Sequence, residues 1–118
     1  MINSYKDLIV WQRAMELVEE IYTLTNEFPK EETFGLVNQM RRATVSIPSN
    51  IAEGRTRSYR KEYRQFLLNA YGSGAELETQ ILISKKLSKT KNLNYKKVDE
   101  LLNEVMKMLN TLIFKLRS

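Results

Sequence analysis

Arginines dominate the residues of this chain that could do chemistry. Between positions 41 and 64, Arg41, Arg42, Arg55, Arg57, Arg60, Lys61 and Arg64 face only Glu53 and Glu62. Guanidinium and ammonium groups pair with phosphates without touching a base, so this block is a candidate nucleic-acid-binding surface for RNA or DNA. Tyr59 and Tyr63 are interleaved with it, and their rings are suited to stacking on bases. The competing reading is a solvated basic turn whose tyrosines pack into the core. A second block, Lys85, Lys86, Lys89, Lys91, Lys96 and Lys97, has no acid among residues 85–97 and reads as solvated surface beside a turn. Residues 1–40 carry three basic and seven acidic side chains, so the net charge of +5 resides in those two blocks.

Catalytic chemistry has few candidates. The chain has no Cys and no His, which removes thiolate nucleophiles, disulfides, imidazole bases and imidazole metal ligands together. Di-iron helical bundles draw a Glu-x-x-His pair from two of their helices, and that pattern cannot be built here. Glu16 and Glu19 have carboxylate spacing but fall on a polar helix face. Glu53, Glu76 and Glu78 are the acids nearest the middle of the chain. Glu53 suits an ion pair with a nearby arginine or a role beside Pro48, where Ser49 and Asn50 can satisfy carbonyls left without a helical partner. No catalytic residue, metal site or cofactor is expected, and the protein reads as no enzyme.

The elements that must position the basic residues are helices. One domain spanning residues 1–118 is expected from the length, and four Gly and two Pro leave few places to turn. Helix 1 is predicted from about Lys6 to Glu27, before Phe28-Pro29. Leu8, Val10, Trp11, Ala14, Met15, Leu17, Val18, Ile21, Tyr22, Leu24 and Thr25 fill an arc of roughly 200°, wider than a helix buried on one side needs. Ile9 is the misfit on its polar side. Helix 2 is predicted from Glu31 or Glu32 to about Gly54, with Leu36, Val37, Met40, Ala43, Thr44, Ile47 and Ile51 inward. Val45 points away from that set, Pro48 is expected to kink the helix, and Gly54 to cap it. Helix 3 is predicted from about Ser58 to Lys89, and Gly72-Ser73-Gly74-Ala75 would let another helix come close. Helix 4 begins near the N-cap residue Asn94, with Phe114 outside its apolar face. Short connections favour an all-α, antiparallel up-down-up-down four-helix bundle. That order places the two basic blocks at opposite ends.

The stretch Gln39-Met40-Arg41-Arg42-Ala43-Thr44-Val45-Ser46-Ile47-Pro48-Ser49-Asn50-Ile51-Ala52-Glu53-Gly54 resembles the signature of the 23S rRNA-intervening-sequence family, also called the four helix bundle protein family. The likeness continues through Tyr71-Gly72-Ser73 and Ala75-Glu76-Leu77-Glu78-Thr79-Gln80. Upstream it takes in Leu8 to Trp11, Ile21-Tyr22, Phe28-Pro29 and Phe34-Gly35-Leu36. Gly74 departs from the pattern, where a larger residue is usual, as does the Lys-rich connection at 85–97. The resemblance implies a bacterial protein, often encoded within insertions of large-subunit rRNA genes. The chain is similar as well to the accessory variability determinant of diversity-generating retroelements, which implies a homopentamer that binds nucleic acid and works with a reverse transcriptase. A ring of subunits would account for the wide apolar arc of helix 1 and for Val45.

Two functions follow as expectations. The first is non-specific nucleic-acid binding by a homo-oligomer through Arg41, Arg42, Arg55, Arg57, Arg60, Lys61 and Arg64. The second is a protein-interaction scaffold, with a reverse transcriptase as one such partner, in which nucleic-acid contact is incidental. No apolar run approaches the roughly 18 residues of a membrane span, and the N-terminus has no secretory apolar segment, so a cytoplasmic location away from membranes is expected.

Overall fold

Four amphipathic stripes find partners in one another. The structure, a computed structural model, describes residues 4–117. Its long helices are α1 (Ile9–Thr25), α2 (Asn38–Arg55), α3 (Arg60–Ser84) and α4 (Lys96–Leu116), and no strand occurs among the described residues. Packing joins α1 to α2, α2 to α3, α3 to α4 and α4 to α1, giving a body of 46 × 23 × 22 Å. The shared core takes Val10, Ala14, Leu17, Ile21 and Leu24 from α1 and Met40, Ala43, Ile47 and Ile51 from α2. Leu67, Ala70, Leu77 and Ile81 of α3 meet Val98, Leu102, Val105 and Leu109 of α4 within it. Met15, Tyr22 and Val45 remain about 40 % exposed, and Trp11 and Val18 are half-buried. The second half of α1's apolar arc is therefore only partly used within one chain, with Trp11 packed against the core and Met15 and Tyr22 left toward solvent. Ile9 and Phe114, the misfits of their periodic patterns, are both exposed.

Helix ends differ from the periodic reading wherever capping partners intervene. Ser4 accepts a hydrogen bond from the Lys6 N–H and starts a 3-10 turn over Tyr5–Asp7. Leu8 is then extended, so α1 begins at Ile9 rather than Lys6. After Pro29 a 3-10 turn (Lys30–Glu32) and a π-helical segment (Thr33–Val37) precede α2. Helical geometry is lost at Gly35 (φ −108°, ψ −105°), where no Cβ restricts the backbone. Regular helix therefore starts at Asn38 instead of Glu31 or Glu32, and it runs through Pro48 to Arg55. Pro48 offers no N–H to the carbonyl of Thr44. At the next two carbonyls, Ser49 Oγ donates to Val45 (2.8 Å) and Asn50 Nδ2 to Ser46 (2.9 Å).

The connection between α3 and α4 is tied down by buried polar groups. Thr90 Oγ1 donates to the Ser84 carbonyl at 2.7 Å, and the Tyr95 hydroxyl donates to the Thr90 carbonyl at 2.8 Å. These bonds draw the chain away from the helical path, ending α3 at Ser84 rather than Lys89. α4 begins near Asn94 as expected, but its N-cap residue is Tyr95; Asn94 stands one residue earlier, where its Oδ1 accepts from the Lys96 N–H at 3.1 Å.

Two glycines set how closely α3 is approached from either side. No glycine among the described residues has positive φ, so Gly54 is not a left-handed cap. It lies inside α2, where a Cβ would fall 2.6 Å from Phe66 Cβ and 3.2 Å from the Tyr63 ring. The helix ends two residues later on Thr56, in right-handed geometry. At Gly74 the Met106 thioether of α4 occupies the place a Cβ would take, whereas Gly72 has open space beside it. Gly72→Ala should therefore raise unfolding stability by about 0.5–1 kcal/mol by improving helix propensity. Gly74→Ala, in contrast, should lower it by about 1–3 kcal/mol through overpacking. Urea denaturation of the two variants checks both signs.

Candidate nucleic-acid interface

The seven basic candidates do not form one cluster. Arg41 and Arg42 lie in the first turn of α2, about 20 Å along the helix from Arg55 at its end. They share their end of the bundle with the Lys-rich connection. Ser84 Oγ approaches Met40 Sδ at 3.8 Å, and Lys89 Nζ pairs with Glu31 at 2.6 Å. The block from Arg41 to Arg64 is thus split between two regions.

At the α2–α3 corner most of the arginines also hold the fold. Arg60 Nη2 donates to the Lys115 carbonyl at 2.6 Å and its Nε to that of Leu116 at 3.3 Å. Arg64 Nε donates to the Ile113 carbonyl at 3.1 Å. These carbonyls belong to the last turn of α4, where a cation complements both the unpaired acceptors and the helix dipole. Arg57 pairs with Glu53 at 2.9 Å and covers the Phe66 ring at 4.8 Å. Arg55 stands 6.0 Å from the centre of the Tyr63 ring. Lys61 is exposed, as is Tyr59 at 71 %. Tyr63 is half-buried against Gly54, so of the two tyrosines only Tyr59 presents most of its ring to solvent.

At the other end, adjacent arginines take different roles. Arg41 Nε donates to Thr25 Oγ1 and its Nη2 to Asn26 Oδ1, each at 2.9 Å, while its guanidinium lies 4.4 Å from the Tyr22 ring centre. It locks the start of α2 to the end of α1. Arg42, one residue and 100° further round the helix, is exposed at the edge of a polar cleft between α2 and α3. This cleft, of about 400 Å³, is lined by Asn38, Gln39, Arg42, Ala43, Ser46, Ser73 and Glu76. Its floor is bonded: Ser46 Oγ and Ser73 Oγ are 2.9 Å apart, and Asn50 Nδ2 donates to Ser46 Oγ at 2.9 Å. Sequence reasoning missed the cleft. Its signal was the four-residue recurrence Asn38, Arg42, Ser46, Asn50 along α2.

The carboxylates considered for metal chemistry lie apart. Glu16 pairs with Arg13 at 3.3 Å, as Glu53 does with Arg57. Among the described residues no three acidic side chains gather as a metal site would require.

Comparison with known families gives a match over residues 6–111 to the 23S rRNA-intervening sequence protein model. The chain belongs to that family. The match takes in α1, α2 and α3 whole and most of α4. A comparison with curated proteins gives no match. In this 23S rRNA-intervening sequence protein, the stretch from Gln39 to Gly54 that carries the family resemblance lies within α2. It supplies core residues, the Gly54 crossing and the α2 wall of the cleft.

Two tyrosines give the protein a pH response. Burial pushes the phenols of Tyr63 and Tyr95 above the ordinary 10.0, against the opposing effects of Arg55 on Tyr63 and of the Ser84 and Thr90 hydrogen bonds on Tyr95. Their neutral forms are favoured by folding. The stability they contribute is complete below the unfolded value and is lost as pH rises through the folded one. Urea midpoints should therefore fall above about pH 10, and a Tyr63→Phe/Tyr95→Phe variant should show a shallower fall. Its absorbance titration at high pH should lack the two late phenols.

Proposed function

We propose that this 23S rRNA-intervening sequence protein is a non-catalytic homo-oligomer that holds nucleic acid through its phosphates. The observation that carries the reading is how the corner arginines are engaged. Arg60 and Arg64 donate to neutral carbonyls, so each keeps its full charge and has N–H groups left for a phosphate. Exposed Lys61 stands beside them. Arg55 and Arg57 extend the basic surface at this corner, Arg41 and Arg42 form a second basic region about 20 Å away along α2, and contact with the backbone alone suits RNA or DNA without sequence preference. Binding of a fluorescent oligonucleotide should weaken at least about tenfold between roughly 50 and 200 mM salt. A Arg57→Ala/Lys61→Ala variant, which leaves the α4 caps in place, should bind several-fold more weakly at low salt. Affinity that ignores both changes would reject the reading.

Contacts between opposite helix ends support an antiparallel up-down-up-down order for the bundle. Arg60 at the start of α3 meets the end of α4, and Lys85 just after α3 pairs with Asp99 in the first turn of α4 at 2.7 Å. The missing N–H at Pro48 supports a kink there. Self-association is supported by unused apolar surface. Tyr22 and Val45 line one surface cleft. Met15 continues that exposed apolar surface along α1, with Val18 half-buried beside it. A ring, of five subunits as the family resemblance implies, would cover that face in a bacterial cytoplasm. Light scattering should give a mass several times 13.9 kDa, and Val45→Glu should return it toward one chain. A wild-type monomer at micromolar concentration would remove the oligomer from the proposal.

A further inference from the structure

The polar cleft between α2 and α3 combines groups that phosphate binding alone does not need. Arg42 is exposed at its edge, and it differs from Arg41, Arg57, Arg60 and Arg64 in serving no hydrogen bond or ion pair identified among the described residues. Ser46 and Ser73 hold their hydroxyls 2.9 Å apart across the seam. Asn50 Nδ2 reaches Ser46 Oγ at 2.9 Å from the next turn of α2 and fixes that oxygen's position. Asn38 and Gln39 add amides, and Glu76 of α3 adds a carboxylate to the same lining. A cleft of about 400 Å³ falls in the usual range for small-ligand sites.

Each group has a match in one chemical unit. A guanidinium recognises a phosphodiester, offering paired N–H donors to its two free oxygens. A carboxylate beside it opposes a bare anion but accepts a hydrogen bond from a sugar hydroxyl. Amides and hydroxyls donate and accept, and so serve ribose and phosphate oxygens alike. A purely anionic ligand would leave Glu76 unmatched, and an uncharged sugar would leave Arg42 unmatched. The 2′-hydroxyl is the atom that separates RNA from DNA at such a site.

We infer that this cleft is a ribose-phosphate subsite for single-stranded RNA, with Arg42 on the phosphate and Glu76 accepting from the 2′-hydroxyl. The inference rests on the nucleic-acid reading above and adds to it a location away from the arginine-rich corner and a preference for RNA. The subsite recognises backbone rather than bases, because its polar groups suit the sugar and phosphate and its lining contains no aromatic ring on which a base could stack. Its surroundings favour an anionic strand. Arg41, whose hydrogen-bond partners are neutral, lies at the same end of the bundle together with Lys86, Lys91 and Lys96, while Lys85, Lys89 and Lys97 of the connection pair with Asp99, Glu31 and Glu20.

The test uses the full chain and a fluorescent oligoribonucleotide of roughly twelve residues, with the matching oligodeoxyribonucleotide as the second arm. Wild-type protein should bind the RNA several-fold more tightly than the DNA at low salt. Arg42→Ala should weaken both by about tenfold, with a thermal midpoint close to wild type because the side chain supports no other element. Glu76→Gln should bring the RNA and DNA affinities to within about twofold of each other. If the wild type binds both oligonucleotides but either variant behaves as wild type, the cleft is not the subsite, while phosphate binding at the corner stands. Equal wild-type affinity for RNA and DNA would also overturn the subsite. If neither oligonucleotide binds at low salt, the subsite and the broader nucleic-acid reading fall together.

Discussion

Close approach of α3 to its two neighbours is the constraint on which the rest of the structure depends. Interaxial distance follows the size of the side chains at a crossing, and here Gly54 and Gly74 stand at crossings on opposite sides of α3. Gly54 lets Phe66 and Tyr63 rest on the α2 backbone. Gly74 gives the Met106 thioether its seat on α3. With both gaps narrow, short side chains suffice to bridge them. The Ser46–Ser73 contact, in which two short hydroxyl side chains meet at 2.9 Å, is such a bridge between α2 and α3.

Arginine in this protein serves two purposes that are compatible. A guanidinium has five N–H donors in a planar fork, and hydrogen bonds to carbonyls occupy some of them without cancelling charge. Arg60 and Arg64 therefore cap α4 and still contribute to an electropositive corner. Arg41 spans from Thr25 and Asn26 to the Tyr22 ring and acts as a strut between α1 and α2. A count of basic residues cannot separate these duties, since Arg41 and Arg42 look equivalent in sequence and differ by one step around a helix. The difference arises from what each azimuth faces: the end of α1 for Arg41, and for Arg42 the rim between the polar cleft beside α3 and the cleft that holds Tyr22 and Val45.

The apolar surface is divided in a similar way. One half of α1's arc, from Val10 to Leu24, is buried in the bundle, while Met15, Tyr22 and Val45 stay partly in solvent. Leaving that much apolar area exposed has a free-energy cost that a covering subunit would remove. The polar cleft beside α3 adjoins this face, and Asn38, Arg42 and Ser46 of α2 form the rim between the two.

Much of the fold was legible in the sequence because its determinants are local. Apolar recurrence at three and four residues marks four helices and their inward faces, and it also picks out Ile9, Val45 and Phe114 as outward-facing. The small residues at 72–75 announce a close approach, and Asn94 marks the start of α4. The stretch from Gln39 to Gly54 carries the family. Helix ends were less legible, since the partners that set them are not periodic. Ser4 delays α1, Gly35 interrupts the approach to α2, and Thr90 with Tyr95 stops α3 at Ser84. The site was least legible of all. Whether an arginine caps a helix, braces two helices or faces a cleft depends on carbonyls and carboxylates that can lie more than fifty residues away. Gly54 reads locally as a helix terminator, yet only the packing of Phe66 shows that its lack of a side chain serves a crossing. Sequence alone determined the helices and their faces, because those follow from the order of residues along one segment. Tertiary structure decided which charges are engaged and where a ligand-sized space remains, because both depend on surfaces that meet only after the helices pack.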